Sequence, residues 1–214
     1  MNLFHPDSKP MRIGYKLADL MIIQAAVLLA SIPIVTAGAA FSAMHYTLLK
    51  LYRNQERGVW KEFWQAFRTN FRQSTVIWLI YIGVFLFLYI DLRLIALANL
   101  PYLNLAVYFL PIPLLLTVLS LSWVFVLQSR YENTIGKTIR HSLLIILSHP
   151  LYTVINTILM AIPLLTISLY LPLIPLVFFL GFSLPGFLRA ILYSRIFDKL
   201  EGTDWRKEQY EDNI

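Results

Sequence analysis

Cysteine is absent from the 214 residues, which excludes disulfides and thiolate metal sites and leaves the redox compartment open. Charged residues are scarce, 14% against about 25% in soluble domains, whereas hydrophobic residues reach 58%. Histidine occurs only at His5, His45, His141 and His149, and the nearest pair is eight residues apart, so the spacing provides no convergent metal ligands. The chain also lacks a glycine-rich phosphate loop, a His-Glu metal motif and a G-x-S-x-G elbow. No residue is therefore a candidate for catalysis, cofactor binding or metal ligation, and the expectation is a protein that is not an enzyme. The net charge of +6 does not point to nucleic acid, because the basic residues lie in short segments between apolar runs.

What is present is apolar length. A hydrocarbon core about 30 Å thick needs roughly 20 residues of helix at about 1.5 Å each. The runs predict an all-α, polytopic helical membrane protein, one membrane domain over residues 1–214. Its six segments are 17–35, 36–51, 74–90, 104–127, 142–168 and 171–188. The second is short for a full crossing, so it either spans with local thinning or dips in and returns. The first run is read as a retained span rather than a cleaved signal peptide, because it exceeds the usual apolar length and carries Asp19.

The stretch Ser31-Ile-Pro-Ile-Val-Thr-Ala-Gly-Ala-Ala40 organises the chain, since Pro33 and Gly38 mark a break between two helices. Beyond it Gly38 and Ser42 are four apart, as are Ala39 and Ala43, which sets small residues on one face for close helix packing in lipid. Asp19 and Gln24 are candidate polar intramembrane residues. Their other reading is capping and packing near the interface, which the helix dipole favours for Asp19. Asn156 stands among apolar neighbours and needs a partner, either on another helix or on a polar ligand. His45 is read as a packing or interfacial residue. Pro111 and Pro113 predict a kink or an unwound turn in the fourth run, and His149-Pro150 a kinked or interfacial start to the fifth. A basic connection, a span and a proline-bearing span occur twice, over 57–127 and 130–188, which is the layout of an internal repeat.

Trp60, Phe63, Trp64, Phe67 and Phe71 occur at offsets of 0, 3, 4, 7 and 11, the period of one helical face. Lys61, Arg68 and Arg72 fall on the remainder. The pattern predicts an amphipathic helix over 60–72 at the cytoplasmic face, its aromatic edge in the headgroup boundary or docked on the spans. Orientation follows from charge. If the second helix returns, 17 of the 18 Lys and Arg flank the cytoplasmic side and Arg93 alone the other, so both termini are cytoplasmic in a multi-pass protein.

The segment SIPIVTAGAAFSAMHYTLLKLYRNQERGVWKEFWQAFRTNFRQSTVIWLI resembles the N-terminal signature of the YesL-like family of uncharacterised bacterial integral membrane proteins, and the later apolar segments fit that family's layout. The resemblance implies a multi-spanning cell-membrane protein, often encoded near genes for carbohydrate uptake and polysaccharide breakdown, and supplies no catalytic residues. Two functions follow as expectations. One is an accessory or scaffolding protein, its partners the lipid bilayer and a membrane transporter. The other is a small-solute permease or transporter subunit, which the proline-broken spans favour.

Overall fold

The computed structural model describes residues 9–98, 109–131, 133–169, 172 and 174–201. The elements are α1 (Lys9–Ala30), one 3-10 turn (Ile34–Thr36), α2 (Ala37–Arg53), α3 (Val59–Ala98), α4 (Pro111–Arg130), α5 (Ile135–Ser148), α6 (Pro150–Leu169), α7 (Ile174–Leu180) and α8 (Ser183–Glu201). No strand occurs among the described residues.

The break after α1 is built from local hydrogen bonds. Pro33 takes an extended conformation, and the Thr36 hydroxyl donates to the Ala30 carbonyl at 2.6 Å, satisfying one of the orphan acceptors at the helix end. The Trp78 indole donates to the Ile34 carbonyl at 2.8 Å and pins the turn to α3. At the far end of α2, Asn54 adopts a left-handed conformation (φ 51°) and the Gln55 amide bonds back to the Lys50 carbonyl at 3.0 Å, a Schellman-type stop.

Five stretches are long and apolar enough to cross a membrane: Met11–Ala30, Val59–Ile95, Pro111–Arg130, Pro150–Ser168 and Val177–Asp198. Helices α2 and α5 fall outside these stretches, and α2 is the central one. Thirteen of its 17 residues are buried, so it meets protein rather than lipid. Cross-contacts give its direction: Gly38 abuts Trp78 and Ser74 while Lys50 pairs with Glu62 at 3.2 Å, so α2 and α3 are antiparallel. His45 packs on Tyr193 and Arg53 pairs with Asp198 at 2.7 Å, so α2 and α8 are parallel. The loop holding Glu56 lies close enough to Lys16 and Asp19 to feel their charges. The beginning of α1 and the end of α8 thus share one end of the bundle, to which α2 returns the chain.

Several expected boundaries change. The helix of 60–72 and the span of 74–90 are one unbroken 40-residue helix, α3, about 60 Å long. The stretch contains no proline, so the switch from basic-aromatic to apolar composition marks a change of surroundings and leaves the backbone ladder intact. The aromatic stripe is therefore not a separate interfacial helix. Phe63 is fully buried, with Trp64 and Phe67 packed at the edge of the same core, while Trp60 (47% exposed) and Phe71 (40%) stay outside.

Pro111 and Pro113 open α4 after a turn at Leu110, which is the unwound alternative rather than the kink, at positions where a missing amide costs no intrahelical bond. Residues 104–108 of that expected run lie outside the described residues. The run 142–168 is two helices, with His149 (φ −135°, ψ 63°) between them because the residue before a proline is driven from helical geometry. The run 171–188 becomes α7 and α8, separated at Gly181-Phe182, and α8 continues through Arg189 to Glu201. The twofold layout over 57–127 and 130–188 does not recur in the helices, since α3 is continuous where its counterpart is split at His149.

Candidate functional site

The buried polar groups converge where α4, α6 and α8 meet. On α8, Tyr193 and Phe197 are buried at helical spacing, and Arg189, one turn before Tyr193, faces the same interior and is only 5% exposed. It lies about 14 Å along the helix from Asp198, whose pairing with Arg53 marks the end of the bundle. Its Nε donates to Asn156 Oδ1 at 2.7 Å and its Nη2 to the Ser122 carbonyl at 2.6 Å. The Asn156 amide donates to the same carbonyl at 2.9 Å and to Ser122 Oγ at 3.2 Å. Thr157 donates to Ser122 Oγ at 3.2 Å, and the Trp123 indole to Thr153 at 3.0 Å. Three helices are thereby tied at one level by groups that each satisfy another.

The guanidinium is not neutralised within this arrangement. All its hydrogen-bond acceptors among the described residues are uncharged, and of its five N–H bonds two are used, leaving three without a described partner. Across the interior stands His45 of α2, 2% exposed. Its carbonyl accepts the Tyr193 hydroxyl at 3.1 Å, its ring meets Tyr193 edge to face at 5.9 Å, and its Nδ1 is buried with no partner among the described residues. Arg189 and His45 both line a cavity of about 250 Å³ whose other walls are apolar and aromatic, including Phe41, Trp78, Phe125 and Leu159. Leu164, 61% exposed, stands at its outer edge.

Gln24 has a different task. Its Oε1 accepts the Phe182 and Ser183 amides, each at 2.9 Å, and its Nε2 donates to the Val177 carbonyl at 3.3 Å. One side chain of α1 thus bridges the break between α7 and α8, supplying partners that a broken helix loses.

The other residues singled out from the sequence are dispersed. Asp19 is half-buried on α1, away from Asn156, near Lys16 and the Glu56 loop. Burial, reinforced by the Asp19 charge, holds the Glu56 carboxyl above the ordinary carboxylate range. Gly38 lies where an added Cβ would stand 2.5 Å from Trp78 Cβ and 2.7 Å from the Ser74 carbonyl, and Ser42 is fully buried on the same helix. Among the described residues no three His, Asp or Glu converge as a metal site.

Arg189 and Ser122 are the functional candidates that sequence reasoning missed. Arg189 directly follows the apolar run 171–188 and so falls among the 17 basic residues that flank the cytoplasmic side. The overlooked signal is the string Leu188 to Phe197, in which apolar residues continue beyond the arginine at helical spacing.

Fold and site together define a polytopic helical membrane protein with an interior polar cluster beside a small apolar cavity. Residues 20–92 match the family described as "Protein of unknown function, DUF624". The segment that carries the YesL-like resemblance, residues 31–80, lies inside that stretch. No curated protein and no solved structure matches the chain.

Proposed function

We propose that the chain is an accessory or scaffolding protein of the bacterial cell membrane, without catalytic activity of its own, that associates with a transporter serving carbohydrate uptake. The observation that carries this reading is the Ser122–Asn156–Arg189 cluster, in which polar groups bond one another across three helices. Intramembrane polar residues that serve a hydrated solute line its path, whereas Ser122 and Asn156 hold helices together and Arg189 borders only a small, largely apolar cavity. The length of α3, about twice a hydrocarbon core, gives a partner an extended surface. The link to carbohydrate uptake comes from the YesL-like resemblance.

Both termini are assigned to the cytoplasm. With Arg189 moved from the tail into the bundle, 16 of the 18 basic residues still flank that side, against Arg93 on the other. The test is capture of the tagged full chain from its native membrane in mild detergent, with identification of what co-purifies. A transporter subunit recovered in stoichiometric amount is the expected result. A chain that purifies alone and confers sugar flux on liposomes would refute it in favour of a permease. That second reading is supported by the break between α7 and α8, since discontinuous helices flank solute sites in many transporters.

A further inference from the structure

We propose that the cavity between α2, α4, α6 and α8 binds a single-chain carboxylate amphiphile, its head on Arg189 and His45 and its chain along Phe41, Phe125 and Leu159. The polar end of the cavity carries a desolvated cation, three of whose N–H bonds have no partner among the described residues, and the His45 ring, whose buried Nδ1 likewise has none. Every other surface is apolar or aromatic. A buried charge is costly until an opposite charge and hydrogen bonds compensate it, and a carboxylate matches the guanidinium fork with two parallel bonds. One negative charge balances the one positive charge, whereas a phosphate monoester at neutral pH carries roughly 1.5 to 2 and would leave a surplus buried.

The cavity is polarised as a membrane lipid is. Along α8, Arg189 is the cavity residue nearest the end of the bundle that holds Arg53 and Asp198, while Phe182 and Pro185 lie nearer the start of the helix, away from that end. A head at Arg189 therefore directs its chain toward the apolar depth, and the exposed Leu164 sets the mouth toward lipid. At about 250 Å³ the space falls below the roughly 300–1,000 Å³ of drug-sized pockets, which suits one short chain and excludes a two-chain phospholipid.

The test uses the full chain in a non-ionic maltoside detergent, with thermal unfolding followed by tryptophan fluorescence. Decanoate is titrated against three chain-matched probes: decanol, decylammonium and decyl phosphate. Decanoate is expected to raise the midpoint saturably, and decanol and decylammonium are not. Arg189→Gln removes the cation, and Met160→Trp fills the cavity with the cation intact. Each should weaken the apparent decanoate affinity by about tenfold or more. If Arg189→Gln does not fold, Met160→Trp still decides the matter. An equal response to decanol, no response to decanoate, or an undiminished response in Met160→Trp overturns the site. A response to decyl phosphate alone overturns the carboxylate assignment.

Discussion

Replacing Asn156 with leucine separates the contribution of the buried cluster from that of general helix packing. The change preserves side-chain bulk, yet it strips Arg189 Nε of its acceptor and Ser122 of an amide donor. A hydrogen bond to a charged group contributes about 1.5–3 kcal/mol, and leaving the charge unpaired costs at least as much. The neutral bond to Ser122 adds about 0.6 kcal/mol, the average for interhelical bonds in a membrane bundle. The expected loss is therefore about 2–4 kcal/mol. Arg189→Met alone leaves Asn156 Oδ1 unpaired and costs about 1–3 kcal/mol. In the double variant no orphan remains at this pair, because apolar groups now face apolar groups. The combined loss should thus fall short of the sum by about 1–2 kcal/mol. Reversible unfolding of all four proteins in mixed micelles measures this cycle. Losses that add to within about 0.5 kcal/mol would refute coupling between the two residues.

Further outcomes are expected elsewhere in the molecule. Gly38→Ala should destabilise by about 1–3 kcal/mol, because its Cβ meets Trp78 Cβ and a backbone oxygen below 3 Å and the two helices must separate; an unchanged melting temperature contradicts close packing there. Gln24→Leu should speed hydrogen exchange at the Phe182 and Ser183 amides while sparing α4, and equal protection in both proteins removes Gln24 from its bridging role. Phe63→Glu should reduce folded yield severely and Gln65→Glu hardly at all, since the first buries a charge and the second stays exposed; equal yields count against the docked aromatic face. Single cysteines at Asn99 and Tyr170 should be labelled from outside intact cells, and those at Arg53 and Asn133 should not; labelling at Arg53 overturns the orientation.

Apolar length and helical periodicity made the architecture legible, because lipid leaves a backbone little choice but helix. The break at Pro33 and the small face at Gly38 were readable for the same local reasons. Boundaries were harder, since a change in composition at residue 73 does not stop a helix that contains no proline. The site was the least legible part. Asn156 signalled a need for a partner, but the identity of that partner is a property of three helices meeting. An arginine just beyond an apolar run looks the same on paper whether it snorkels to the surface or turns inward. Gln24 is open on paper to a polar site or to capping and packing, and the bridge it makes across a broken helix depends on chain 158 residues away.

That distance has a consequence for how the protein is made. Ribosomes deliver the chain from its N-terminus, so Gln24 enters the bilayer long before Phe182 and Ser183 exist. Throughout that interval its amide is a polar group in lipid without its final partners. The seam between α7 and α8 closes only once residues 177–183 have followed, and closing it joins α1 to both helices. A chain that stops short of Phe182 leaves the Gln24 amide on α1 without these partners.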